Sequence, residues 1–116
     1  DIRYGLKIAR AIGELDIGQC VVVKNKMTVA VEALEGTDAT ILRGGKIMPQ
    51  TVVVKIAKPN QDLRLDLPVA GLQTVETLIK AKASVLALEA GKTFFLQREK
   101  AIELADKYHI SIVGVK

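Results

Sequence analysis

The sequence predicts an α/β fold, with α+β as the near variant: a single domain in which helices pack on a mixed β-sheet. Three observations predict it. Runs such as Cys20 to Lys24, Thr51 to Ala57 and Ser84 to Leu88 are apolar on both alternating faces, as strands covered from both sides are. Amphipathic helical patterns fall between the strand runs. The 116 residues, 49% of them hydrophobic, suffice for one real core and show no repeat, linker or low-complexity tract.

Each element has its own local signal. From Ile2 to Leu15, the residues Ile2, Leu6, Ala9, Ile12 and Leu15 recur at helical spacing, with Asp1 as a candidate cap and Gly18 marking the connection after it. Cys20 to Lys24 and Met27 to Val31 read as strands joined by a tight turn at Asn25-Lys26, because Asn tolerates positive φ. Gly36-Thr37-Asp38 introduces a short helix, Ala39 to Arg43, which Gly44-Gly45 is expected to end. Thr51 to Ala57 reads as a central strand. Thr74 to Ala83 is an amphipathic helix with Thr74 and Thr77 as capping candidates. Ser84 to Leu88 and Thr93 to Leu96 read as strands joined through a hairpin turn at Glu89-Ala90-Gly91-Lys92. Arg98 to Tyr108 is a further helix, and Ile110 to Val115 the closing strand.

Composition excludes several functions. The net charge is +4, but the basic residues are dispersed. With 2 Tyr, 2 Phe and no Trp there is no platform for stacking bases, so no nucleic-acid partner is expected. The single cysteine, Cys20, precedes three valines and reads as a small buried residue in a reducing compartment. His109, at a helix end, reads as structural. No run approaches the roughly 20 apolar residues that span a bilayer, and no signal peptide is visible. Zinc-ligand spacing, a Gly-x-Ser-x-Gly elbow, a Walker loop and a dinucleotide fingerprint are all missing from the sequence. The chain starts at Asp1, without an initiator Met and beside a helix, so a fragment of a longer protein is expected.

The stretch with most chemistry is Lys58-Pro59-Asn60-Gln61-Asp62-Leu63-Arg64-Leu65-Asp66-Leu67-Pro68. In an extended chain, Asp62, Arg64 and Asp66 share one face. The carboxylates suit a divalent cation or an activated water, and the guanidinium suits a phosphate. Lys58 and Gln61 add a charge and an amide. The competing reading is an ion-pair ladder on an edge strand. A second candidate is Glu32, Glu35, Gly36, Thr37 and Asp38. There, a helix start would present backbone N–H groups to a phosphate, or Glu35 and Asp38 would bind a metal; an ordinary N-cap is the alternative. Arg43-Gly44-Gly45-Lys46 reads as a basic helix C-terminus.

Taken in order, Ile12-Gly13-Glu14-Leu15-Asp16-Ile17-Gly18-Gln19, Ala33-Leu34-Glu35-Gly36-Thr37-Asp38, the Lys58 to Pro68 stretch and Glu89-Ala90-Gly91-Lys92-Thr93 resemble the C-terminal domain of the LpxI-type UDP-2,3-diacylglucosamine pyrophosphatases. The resemblance covers nearly the whole chain. It implies hydrolysis of the pyrophosphate bond of UDP-2,3-diacylglucosamine to UMP and lipid X in lipid A biosynthesis, with Mg2+ as the expected cation. It further implies a two-domain enzyme whose lipid site is shared with an N-terminal domain absent from this chain, so the isolated domain is expected to be inactive. The essential aspartate would map to Asp66, with Asp62 as runner-up and tentative co-ligand. Lys58, Gln61, Arg64, Gly36, Thr37 and Asp38 would contact substrate. A cytoplasmic location follows, with transient contact at the inner membrane surface, and a homodimer is compatible. Cys20 stands where Ser is expected, and Gln97 where an acidic residue is. Two other readings stay open: a non-catalytic domain that binds a sugar nucleotide or acidic lipid, and a structural dimerisation module.

Overall fold

In the computed structural model, which describes residues 1–58 and 69–116, the strands form two sheets. The elements in chain order are α1 (Ile2–Glu14), β1 (Cys20–Lys24), β2 (Met27–Val31), α2 (Thr37–Ile47), β3 (Val52–Lys55), β4 (Val69–Gly71), α3 (Leu72–Lys80), β5 (Val85–Glu89), β6 (Phe94–Leu96), α4 (Arg98–Lys107) and β7 (Ser111–Val115). The main sheet runs in the order β2-β1-β3-β5-β7, and β4 pairs with β6 in a small second sheet. β1 lies antiparallel to β2 and β3, whereas β3, β5 and β7 are mutually parallel. The expected α/β class with a mixed sheet is therefore observed.

Alternation along the strands divides the core in two. Val21, Val23, Val52, Val54 and Ala87 point toward α1, where Ala9 packs among them. Cys20, Val22, Val53, Leu86 and Leu88 point the other way, toward Ile41 of α2, Val75 and Leu78 of α3, and Ala101 and Ala105 of α4. Fully burying a Val or Leu side chain contributes about 1.5–3 kcal/mol, so the central valine runs are a main source of stability. Cys20 is completely buried, and burial pushes its thiol above the ordinary range. Its neutral form is thus favoured in the fold; that stabilisation is complete below the ordinary value of 9.0 and is lost as pH rises beyond it. Iodoacetamide at pH 8 is expected to leave native Cys20 unmodified and to alkylate it after denaturation, as read by mass spectrometry.

Several local expectations change in the structure. Asp1 sits at the N-cap of α1 without a side-chain capping bond. Its carboxylate instead accepts the backbone N–H groups of Asn25 (3.1 Å) and Lys26 (2.7 Å), tying the β1–β2 turn to α1. Both turn residues have positive φ, as the tight turn requires. α2 does not end at Gly44-Gly45 but runs through both glycines to Ile47. The reason is close packing: a Cβ on Gly44 would lie 2.7 Å from Val22 Cγ1, and one on Gly45 2.6 Å from the Ala81 carbonyl oxygen. The glycines therefore admit a strand and a neighbouring chain segment rather than terminating the helix. Glu89 to Lys92 is not a hairpin between paired strands. β6 turns away from β5 and pairs in parallel with β4, a three-residue strand without a sequence signal of its own.

Candidate functional site at the carboxyl rim of the parallel strands

In α/β sheets, the loops leaving the carboxyl ends of parallel strands are where ligand groups gather. The carboxyl ends of β3 and β5 meet the N-terminal end of β1 at one rim, because Cys20 pairs with Lys55 and Lys55 with Leu88. The starts of α2 and α3 reach the same rim. Asp62, Arg64, Asp66 and Gln61 lie outside the described residues. Lys58 and Val69, which flank that stretch in sequence, are both described at this end of the molecule: Lys58 lies three residues beyond β3, and Val69 is tied to Lys55.

Two buried carboxylates build the rim. Glu32, 7% exposed, accepts the Gln19 N–H at 2.9 Å and the Thr37 hydroxyl at 3.5 Å, joining β2, the entry to β1 and the start of α2. A Cβ on Gly18 would fall 2.2 Å from the Glu32 carbonyl oxygen, so only glycine lets the chain pass there. Glu89 accepts the Ala57 N–H at 3.0 Å, fixing the chain just beyond β3. These side chains satisfy buried donors and hold the frame. Lys58 Nζ lies 3.1 Å from Asp16 Oδ1, which links the exit of β3 to the loop after α1.

Gly36, with φ of 94°, is the N-cap of α2, so Thr37 and Asp38 occupy its first turn rather than capping it. The Asp38 carboxylate accepts a hydrogen bond from the Gln73 side-chain amide at 3.3 Å, across to the first turn of α3. Asp38 does not join Glu35 in a metal site. Glu35 turns to Arg43, whose guanidinium donates to both of its carboxylate oxygens and to the Val31 carbonyl oxygen. Those hydrogen bonds hold the Glu35 carboxyl below its ordinary range. Their stabilisation is present above that range and fades as pH falls through the lowered value; solvent exposure keeps it small. Arg43 is consequently a mid-helix ion-pair residue, not a basic helix terminus.

Thr37, Asp38, Gly71, Gln73, Thr74, Leu96 and Gln97 surround a cavity of about 300 Å³. Lys55, Val69, Ala70 and Leu72 complete its described wall. A larger cleft of about 830 Å³ runs between α4 and β7, past Arg98 and His109. We place the candidate site at the smaller cavity, because Thr37 and Asp38, singled out from sequence, line it and it brings two helix starts together. Among the described residues no three His, Cys, Asp or Glu side chains gather as cation ligands. Glu32, Glu89 and Asp38 already accept hydrogen bonds within the protein. The described rim therefore does not by itself build a Mg2+ shell.

Lys55 and Gln73 were not legible as site residues. The available signal for Lys55 was a lone charge in the run Val52-Val53-Val54-Lys55-Ile56-Ala57. For Gln73 there was none, since only folding brings it to Asp38.

Fold and rim together define a mixed-sheet α/β domain with a candidate site at the carboxyl edge of β3 and β5. Residues 1–113 match the LpxI C-terminal domain family. The chain is also 38% identical, over 124 aligned positions, to the UDP-2,3-diacylglucosamine pyrophosphatase LpxI of Caulobacter vibrioides. The chain belongs to the LpxI C-terminal domain family. That alignment covers 99% of this chain and 44% of the relative, so the chain spans less than half of the relative's length. Among the described residues no helix is long and apolar enough to cross a membrane.

Proposed function

We propose that this chain is the C-terminal domain of a two-domain enzyme of lipid A biosynthesis. The enzyme hydrolyses the pyrophosphate bond of UDP-2,3-diacylglucosamine. Water adds its oxygen to one phosphorus, the bridging P–O bond breaks, and UMP and lipid X leave. The observation that carries this reading is the 38% identity to the Caulobacter LpxI across 99% of the chain.

The chemistry asks for charge neutralisation and an oriented water rather than a covalent nucleophile. Asp66 is the leading catalytic residue and Asp62 its assistant. Both are also the proposed Mg2+ ligands, since Glu32, Glu89 and Asp38 at the rim already accept hydrogen bonds within the protein. When bound, the cation would neutralise charge on the diphosphate. Arg64 and Lys58 bind phosphate oxygens, and Gln61 offers an amide. Gly36, Thr37 and Asp38 contact the second phosphate or the sugar from the start of α2. The N-terminal domain supplies the rest of the site. The enzyme acts in the cytoplasm and touches the inner leaflet transiently to reach its lipid; a homodimer is compatible with this arrangement.

The full-length protein is expected to turn over UDP-2,3-diacylglucosamine with Mg2+, and to stop when the cation is chelated and resume when it is restored. The isolated 116-residue chain is expected to show little or no turnover. Failure of the full-length protein to release UMP with Mg2+ present would reject the function. Substantial turnover by the isolated chain would reject the shared site.

A further inference from the structure

The Lys55 side chain is buried and has few polar partners among the described residues. Lys55 ends β3 and is 7% exposed. Its Nζ makes one hydrogen bond, to the Val69 carbonyl oxygen at 2.9 Å, and no ion pair among the described residues. Among the described residues, two of its three N–H donors are thus unspent. A buried charge without a carboxylate at ion-pair distance is costly, and native structures usually pair it; Asp38 lines the same cavity but makes no ion pair with Lys55. The side chain lies on the same face of β3 as Val53, toward α2 and α3, in register with Cys20 and Leu88, and lines the 300 Å³ cavity. The first turns of α2 and α3 line the same cavity through Thr37, Asp38, Leu72 and Gln73, and first-turn N–H groups have no partner within their helix.

We propose that this cavity is a phosphoryl-anion site in which Lys55 is the buried counter-charge. The ligand class is a phosphate or diphosphate ester. Phosphate oxygens take the two spare Lys55 donors and the first-turn N–H groups, while the Asp38–Gln73 pair at the wall is placed to meet sugar hydroxyls. The volume is at the lower end of the roughly 300–1,000 Å³ typical of ligand pockets, which suits a phosphorylated sugar fragment rather than a whole lipid. The site itself rests on the cavity and Lys55. Only its assignment to the diphosphate of the proposed substrate rests on the reading above.

The test uses inorganic pyrophosphate, followed through backbone amide shifts in NMR, with no turnover required. The wild-type protein is expected to show saturable shifts at Thr37, Asp38, Leu72 and Gln73. Lys55→Met, which keeps the bulk and removes the charge, is expected to weaken binding by about tenfold or more, and Lys55→Arg to recover most of it. Asp38→Asn removes the one carboxylate that lines the cavity among the described residues and is expected to tighten binding by about threefold, at low salt. If Lys55 only clasps Val69, Lys55→Met lowers the melting temperature and leaves pyrophosphate affinity unchanged, which overturns the proposal. Shifts that map elsewhere, or no saturation in the wild type, overturn it too. Should Lys55→Met not fold, Asp38→Asn decides, and unchanged affinity there counts against the site. A full-length protein without pyrophosphatase activity that still binds pyrophosphate through Lys55 would sink the functional reading and leave this site standing.

Discussion

Asp66→Asn in the full-length protein is expected to reduce turnover of UDP-2,3-diacylglucosamine by about two to three orders of magnitude, with the thermal melt unchanged. Asn matches Asp in size and removes only the charge. If Asp66 holds the cation or orients the water, the loss falls on the transition state, where charge on the diphosphate is redistributed. Two to three factors of ten correspond to about 3–4 kcal/mol. That is what one preorganised electrostatic group is worth in a water-poor site, and more than an exposed ion pair supplies. The competing ion-pair ladder predicts the opposite pattern: a lower melting temperature and nearly full activity. Asp62→Asn is expected to cost about tenfold, as an assisting group rather than the principal one. Raising Mg2+ in the assay sharpens the distinction. A variant impaired in holding the cation recovers part of its rate at high Mg2+, whereas one impaired in orienting water does not. Near-normal turnover by a folded Asp66→Asn protein would reject the assignment.

The strand and helix elements were legible where sequence distance is short. Cys20–Lys24 and Met27–Val31 appear with the bounds read from the sequence, because β-branched residues flank an Asn-containing turn. The central strand was legible as an uninterrupted valine run, which only a two-sided cover explains. What escaped depends on contacts between distant segments. β4 is three residues long, and its partner β6 lies 25 positions later, so pairing rather than propensity makes it a strand. The same holds for the site. Thr37 and Asp38 announce themselves beside a glycine ahead of a helix. Lys55, Val69 and Gln73 become neighbours only when β3, β4 and α3 assemble. The acidic-basic-acidic motif lies outside the described residues, so its chemistry is argued from sequence, whereas the rim is argued from the structure.

Gly45→Val is expected to destabilise the domain by about 3 kcal/mol in urea unfolding, with an unchanged m-value. Helix propensity argues the other way, since Val is better than Gly in a helix interior by a few tenths of a kcal/mol. Packing outweighs that gain. A Cβ at position 45 would meet Ala81 Cα and the Ala81 carbonyl oxygen at 2.7 and 2.6 Å. Those are backbone atoms at the C-terminus of α3, where Ala81 N–H is bonded to the Thr77 carbonyl oxygen and Lys82 N–H to that of Ile79. They cannot rotate away, so α2 and α3 must separate and open the core around Ile41 and Leu78. Gly44 is the instructive neighbour. The three atoms nearest a Cβ there all belong to the Val22 side chain, the closest at 2.7 Å. A change of rotamer relieves part of that clash, and the propensity gain of Ala over Gly, about 1 kcal/mol, offsets much of the remainder. Gly44→Ala is therefore expected to fall within about 1 kcal/mol of wild type. Equal and small effects at both positions would mean that the helix packing around α2 is looser than the close contacts at Ala81 require.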